Sequence, residues 1–132
     1  MGQAHRRTAT TVSLINDHFV FCPRYRRCWL VGPVAARLAE IIHELASELN
    51  CNLVALEIMP DHCHLFLNAL PVHSPALLMA RIKGRTSRQL RQEFPRLQRM
   101  RSLWTRSYFV STAGNVSTET VRRYIEEQKK RR

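Results

Sequence analysis

The chain has 132 residues, enough for one domain with a real core and too few for two. Apolar residues make up 45%, an ordinary share, but the formal net charge of +11 and the pI near 10.8 are not ordinary. Such a balance argues for a polyanionic partner, and no stretch is long and apolar enough to span a bilayer.

Residues 1–11 are polar and basic and read as a flexible tail, with residues 12–132 as one domain. Read as it stands, the N-terminus has no apolar h-region, and Arg6 sits where a myristoylation motif wants Ser or Thr. Residues 13–22 (SLINDHFVFC) read as a strand that Pro23 ends. Tyr25-Arg26-Arg27 is a basic loop with an aromatic, and Gly32-Pro33 opens a helix. Val34, Leu38, Ile41, Ile42, Leu45 and Leu49 recur at helical spacing, and Asn50 suits the helix end.

Residues 52–59 and 62–70 read as an antiparallel strand pair joined at Pro60-Asp61. Ser74-Pro75 caps a second helix, with Leu77, Leu78, Ile82 and Leu90 on one face and Pro95 as its limit. Residues 103–110 (LWTRSYFV) read as a fourth strand, followed by a loop at 112–115. Ser117 or Thr118 then caps a last helix that carries Tyr124 and Gln128. The order is β-α-β-β-α-β plus one helix: an α+β, ferredoxin-like or RRM-like antiparallel sheet. This scaffold serves many functions, so function has to come from the residues.

His62 and His64 stand two apart in an apolar run, so strand alternation points both imidazoles to one face. Two neutral imidazoles side by side can bind a divalent metal. Cys63 points to the opposite face, where a small hydrophobe suits a core. Asp61 can orient an imidazole or help hold the metal. Two histidines leave coordination incomplete. Gln128 offers a hard amide oxygen and shares a helix face with Tyr124, four residues away. Mixed N/O ligation with open positions suits Mg²⁺ or Mn²⁺; zinc, which would more readily use Cys or a third His, is the competitor. His5, His18, His43 and His73 show no linked spacing. A tyrosine beside a metal, in a chain this basic, suggests nucleophilic attack on a nucleic-acid phosphate.

Nine basic residues and the single acid Glu93 lie between Arg81 and Arg106. Arginine dominates there, favouring bidentate phosphate contacts. Lys83, Arg85 and Arg88 are the leading candidates for nucleic-acid phosphates, with Tyr25, Arg26 and Arg27 as a second contact. Cys22, Cys28, Cys51 and Cys63 form no C-x-x-C pair or zinc-ribbon spacing, and read as reduced thiols, mostly buried, in a cytoplasmic protein.

Five stretches together resemble the IS200/IS605 insertion-sequence transposases, the single-tyrosine branch of the HUH nucleases. They are FVFCPRYRR at 19–27, MPDHCHLFL at 59–67, IKGRTSRQL at 82–90, LWTRSYFVSTAG at 103–114 and YIEEQ at 124–128. The resemblance spans nearly the whole chain in the family's order. It maps the HUH motif to His62-Cys63-His64, the nucleophile to Tyr124 and the helix glutamine to Gln128. Cys63 departs mildly from the bulkier hydrophobe usual between the histidines.

What the resemblance implies is a metal-dependent transposase of single-stranded DNA. Tyr124 would displace a 3′-hydroxyl and form a 5′-phosphotyrosine, and another 3′-hydroxyl would rejoin the DNA without ATP. It also implies recognition of DNA hairpins and a homodimer with composite active sites, for which Gly114 is a plausible hinge. Two other readings remain open. One is a domesticated hairpin-binding regulator without transposition activity. The other is an RRM-like RNA binder, in which the histidine pair would have no task.

Overall fold

In the computed structural model, residues 3–114 are described, together with Arg123, Glu126 and Glu127. Three strands stand where the sequence puts them. These are β3 (Ile15–Phe21), β4 (Asn52–Met59) and β5 (His62–Ala69). With β6 (Phe109–Ala113) they form one antiparallel sheet in the order β4-β5-β3-β6. Two helices join them: α1 (Gly32–Glu48) and α2 (Pro75–Glu93). The result is the split β-α-β-β-α-β arrangement.

Local chemistry sets the helix ends. Pro33 sits in the first turn of α1. At the other end Asn50 takes φ +55, its N–H donates to Ser47 O (3.1 Å), and the Cys51 N–H donates to Ala46 O (2.8 Å). That is the two-bond helix stop that an asparagine in the left-handed region permits. The Ser74 hydroxyl accepts from the Leu77 N–H at 3.1 Å, capping α2 ahead of Pro75.

Strand alternation sorts the residues. Phe19 and Phe21 of β3 and Cys63, Leu65 and Leu67 of β5 join Val34, Leu38, Ile41, Ile42 and Leu45 of α1 and Leu78, Met79, Ile82 and Leu90 of α2 in one buried cluster. The opposite face of the sheet carries Asn16, His18, His62, His64, Phe66 and Asn68, and these too are buried.

Two parts differ from expectation. In the basic tail, β1 (Arg6–Arg7) pairs with β2 (Val12–Ser13), just beyond it. The Arg6 guanidinium donates to Asn68 Oδ1 (3.0 Å) and to the Asn50 carbonyl, tying this hairpin to the sheet's polar end. The expected fourth strand, residues 103–110, begins only at Phe109 and continues through Ala113, into the expected loop. Residues 103–105 keep only one isolated antiparallel bridge, Trp104 with Pro23, in which the Arg24 N–H donates to Leu103 O (2.8 Å) and the Thr105 N–H to Cys22 O (3.0 Å); side chains of α2 hold the same segment from its other side. The Trp104 indole donates to Thr86 Oγ1 (3.0 Å), and Lys83 Nζ donates to the carbonyls of Thr105 (2.7 Å) and Ser107 (3.0 Å). Beyond α2 lies a short helix, α3 (Pro95–Gln98). Tyr124 and Gln128 lie outside the described residues.

Asp17 carries a cost within this core. It is 1% exposed, both carboxylate oxygens lack a hydrogen-bond partner, and burial pushes its pKa up from 3.8 to about 6. The folded state therefore holds this proton more tightly than the unfolded chain. The stability linked to it is fully present below the unfolded pKa and is lost as pH rises through about 6. A shift of that size is worth about 3 kcal/mol at neutral pH. Asp17→Asn is expected to raise stability at neutral pH and flatten its fall between mildly acidic and neutral conditions, as read by urea unfolding of both proteins at each pH.

Candidate functional site

The β4–β5 turn delivers the histidines. Pro60-Asp61 ends β4, and β5 starts at once with His62, so the turn fixes which face each imidazole meets. His62 and His64 are each 3% exposed, with ring centroids 5.1 Å apart and planes at 82°. Buried imidazoles need partners on their ring nitrogens. The Nδ1–H of His62 donates to Asp61 Oδ1 at 2.8 Å, and Arg26 Nη2 donates to the other carboxylate oxygen at 2.9 Å. Burial alone would raise the Asp61 pKa, but the hydrogen bond from His62 and the charge of Arg26 outweigh it and hold the carboxyl below its ordinary range.

His64 is held by a residue that its sequence spacing did not link to the pair. His18 on β3 places Nε2 3.1 Å from His64 Nδ1. In the β3–β5 register Val20 faces His64 and His18 faces Phe66, so the two histidines are diagonal neighbours on one face. His18 stacks on Phe66 at 4.1 Å between centroids and lies nearly parallel to His64. Burial first, and the neighbouring His64 second, lower the His18 pKa to about 4, so it is neutral at physiological pH. The signal was present in alternation: Asn16, His18 and Val20 share a face. Only the strand pairing, however, says which face meets His64.

With Nδ1 of both rings hydrogen-bonded, coordination by this pair would use Nε2. Among the described residues no group of three His, Cys, Asp or Glu side chains is arranged to hold a metal ion. The pair is thus a two-ligand corner, with each ring oriented by a fixed neighbour.

The residues expected to meet DNA divide. Lys83 is spent on the carbonyls of Thr105 and Ser107, and burial lowers its pKa. Arg85 is paired with Glu48 at 2.9 Å. Arg88 is exposed on α2 beside Arg81 and Arg85. Arg26 is engaged by Asp61. Tyr25 is 73% exposed, and Arg27 is exposed beside it. The cysteines are free; Cys51 and Cys63 are buried, Cys22 is half-buried and Cys28 exposed.

Residues 11–128 match the family model described as "Transposase IS200 like". The ISDra2 transposase TnpA of Deinococcus radiodurans is 32% identical over 114 residues, covering 84% of this chain and 81% of that relative. The transposase for insertion sequence element IS200 of Salmonella typhimurium is also 32% identical over 114 residues, covering 84% and 74%. A crystal structure from Deinococcus radiodurans R1, described as a candidate transposase, superposes with a TM-score of 0.77 at 33% identity, covering 93% of this chain and 97% of that one. A REP-associated tyrosine transposase bound to a REP hairpin shares the fold, with a TM-score of 0.61 at 14% identity over 90% of this chain and 67% of that one.

The His18–His64 contact has a measurable weight. His18→Ala removes a buried hydrogen bond and a stacked ring, and the hydrogen bond alone is worth roughly 1–3 kcal/mol when its partner stays buried. The expected outcome is that loss in denaturant unfolding under metal-free conditions, with partial recovery in His18→Gln.

Proposed function

The chain belongs to the IS200-like transposase family, and on that premise we propose that it cleaves and rejoins single-stranded DNA at insertion-sequence ends through a 5′-phosphotyrosine on Tyr124. The observation that carries this reading is the buried histidine pair, each ring held at Nδ1 by its own partner. A solvated H-x-H on a strand face needs no such arrangement; a metal site does. No helix among the described residues is long and apolar enough to cross a membrane.

The proposed ligands are His62 and His64 through Nε2 and Gln128 through its amide oxygen, with Mg²⁺ or Mn²⁺ as the ion. Bound there, the ion would supply positive charge to the oxygens of the scissile phosphate. The chain does the rest. Asp61 keeps the proton of His62 on Nδ1. His18, in its Nδ1–H form, accepts from His64 and does the same for the second ring. Tyr124 gives up its phenolic proton and attacks phosphorus; the P–O3′ bond breaks and the 3′-oxygen leaves as a hydroxyl. The phosphotyrosine conserves the bond energy. A second 3′-hydroxyl then attacks, forms the new phosphodiester and returns Tyr124. Partner DNA would be hairpins formed by single strands, such as this fold holds in the REP-associated transposase. A homodimer that pairs the histidines of one chain with Tyr124 and Gln128 of the other suits a helix following Gly114.

The test is an adduct assay. The protein, Mn²⁺ and labelled single-stranded hairpin DNA with flanks from its own locus are expected to give a covalent 5′-linked species on denaturing gels. Tyr124→Phe and His64→Ala should abolish it. Asp61→Asn should lower metal affinity by roughly 10–100-fold while sparing the fold. Hairpin binding without an adduct, across metals and flanks, would leave only the regulator.

A further inference from the structure

The arginines between residues 81 and 106 fall into two groups in space. On α2, Arg85 pairs with Glu48 at 2.9 Å and Arg91 donates to the Met100 carbonyl, while Arg81 and Arg88 are exposed with no acid partner among the described residues. Past α2 the arginines converge with others on one concavity. Arg96, Arg99 and Arg101 share a cavity of about 660 Å³ with Arg24, Tyr25 and Arg27. Among the described residues none of these five guanidinium groups has an acidic partner. Five like charges around one concavity repel one another unless an anion joins them.

Tyr25 supplies the second chemistry. Its ring is 73% exposed, with the Arg24 and Arg27 guanidinium groups 5.2 and 5.7 Å from its centroid. The backbone is forced to put it there. Tyr25 and Arg26 sit at φ +61 and +51, a region that side-chain-bearing residues avoid. The turn is held by Arg26 N–H on the Pro23 carbonyl (2.8 Å) and by the Arg26–Asp61 ion pair. Strain of this kind, spent on presenting an aromatic to solvent among unpaired arginines, marks a contact surface.

We propose that this groove binds a run of unpaired DNA, one base stacking on Tyr25 and the flanking phosphates resting on the arginines. The proposal rests on the single-strand reading above and names where the unpaired flank lies. A duplex offers such a surface phosphates only, because its bases are stacked on one another; an aromatic platform in a basic groove selects strands whose bases are free. The Tyr25 turn and the histidine strand share one carboxylate, since Arg26 and His62 both donate to Asp61.

Fluorescence anisotropy on the full chain in EDTA, where no cleavage occurs, tests this. The probes are an unpaired oligonucleotide and a blunt hairpin stem. Tyr25→Ala is expected to weaken the unpaired strand about tenfold or more, as loss of one base–aromatic stack does. The blunt stem should stay within about twofold, since phosphate contacts alone hold it. Arg99→Ala with Arg101→Ala should flatten the salt dependence for the unpaired strand. Cys28, an exposed thiol in the groove wall, should be alkylated more slowly when the unpaired strand is bound. Circular dichroism of each variant verifies folding.

Equal weakening of both probes would make the groove a hairpin site and overturn the proposal. So would unchanged affinity in Tyr25→Ala, with inorganic polyphosphate displacing the strand, which would reduce the groove to a plain anionic surface contact. The two readings fail separately. A Tyr124 adduct with Tyr25-independent binding defeats only the groove, and Tyr25-dependent binding without any adduct defeats only the transposase chemistry.

Discussion

Everything around the candidate site follows from β5 being buried on both of its faces. All eight residues, His62 to Ala69, are buried, yet alternate ones must satisfy opposite demands. Cys63, Leu65 and Leu67 belong to the apolar cluster under α1 and α2. His62, His64 and Asn68 are polar and still almost wholly withdrawn from solvent. A one-residue slip would exchange the two sets, sending imidazoles into the helices and leucines into a polar layer. The register is therefore tightly determined, and the polar face must be supplied with partners. Asp61 serves one end and His18 the middle. At the far end Asn16, Asn52 and Arg6 surround Asn68.

Charge is the second constraint. At +11 the chain repels itself, and its few acids are placed where they relieve most of that near the core. Glu48 and Glu93 tie α1 to α2 through Arg85 and Arg37. Asp61 answers Arg26 and at the same time orients His62. Asp17 is the exception, a carboxyl sealed in the core with no donor. Among the described residues, five arginines without an acid partner meet beyond α2, around Tyr25.

The local parts of this structure were legible in the chain because local chemistry decides them. Pro33, Asn50 and Ser74-Pro75 mark helix ends whatever the tertiary setting, and the alternation of β4 and β5 needs no partner to be seen. The same alternation put His62 and His64 on one face with Asp61 beside them. The misses all depend on distant residues. The segment at 103–108 looks like a strand by composition; it keeps one bridge, Trp104 to Pro23, while Lys83 and Thr86 of α2, about twenty residues upstream, also hold it, and the ladder starts only at Phe109. Lys83 for the same reason gives two of its three N–H donors to the carbonyls of Thr105 and Ser107. His18 joins His64 only through the β3–β5 register. Tyr124 and Gln128, by contrast, rest on the family resemblance and their spacing in sequence.

These long-range contacts give the Tyr25 turn its place in the design. Arg26 looked like one more cation for DNA, but its pairing with Asp61 ties it to the histidine strand. With Arg26 so engaged, its neighbours Arg24 and Arg27 point their charge past the Tyr25 ring and into the groove. One carboxylate thus joins two functions. On one oxygen it fixes the tautomer of His62, and on the other it holds the strained turn that exposes Tyr25. The strained turn and the orientation of the first imidazole therefore depend on the same carboxylate, so neither can shift without loading the contact that holds the other.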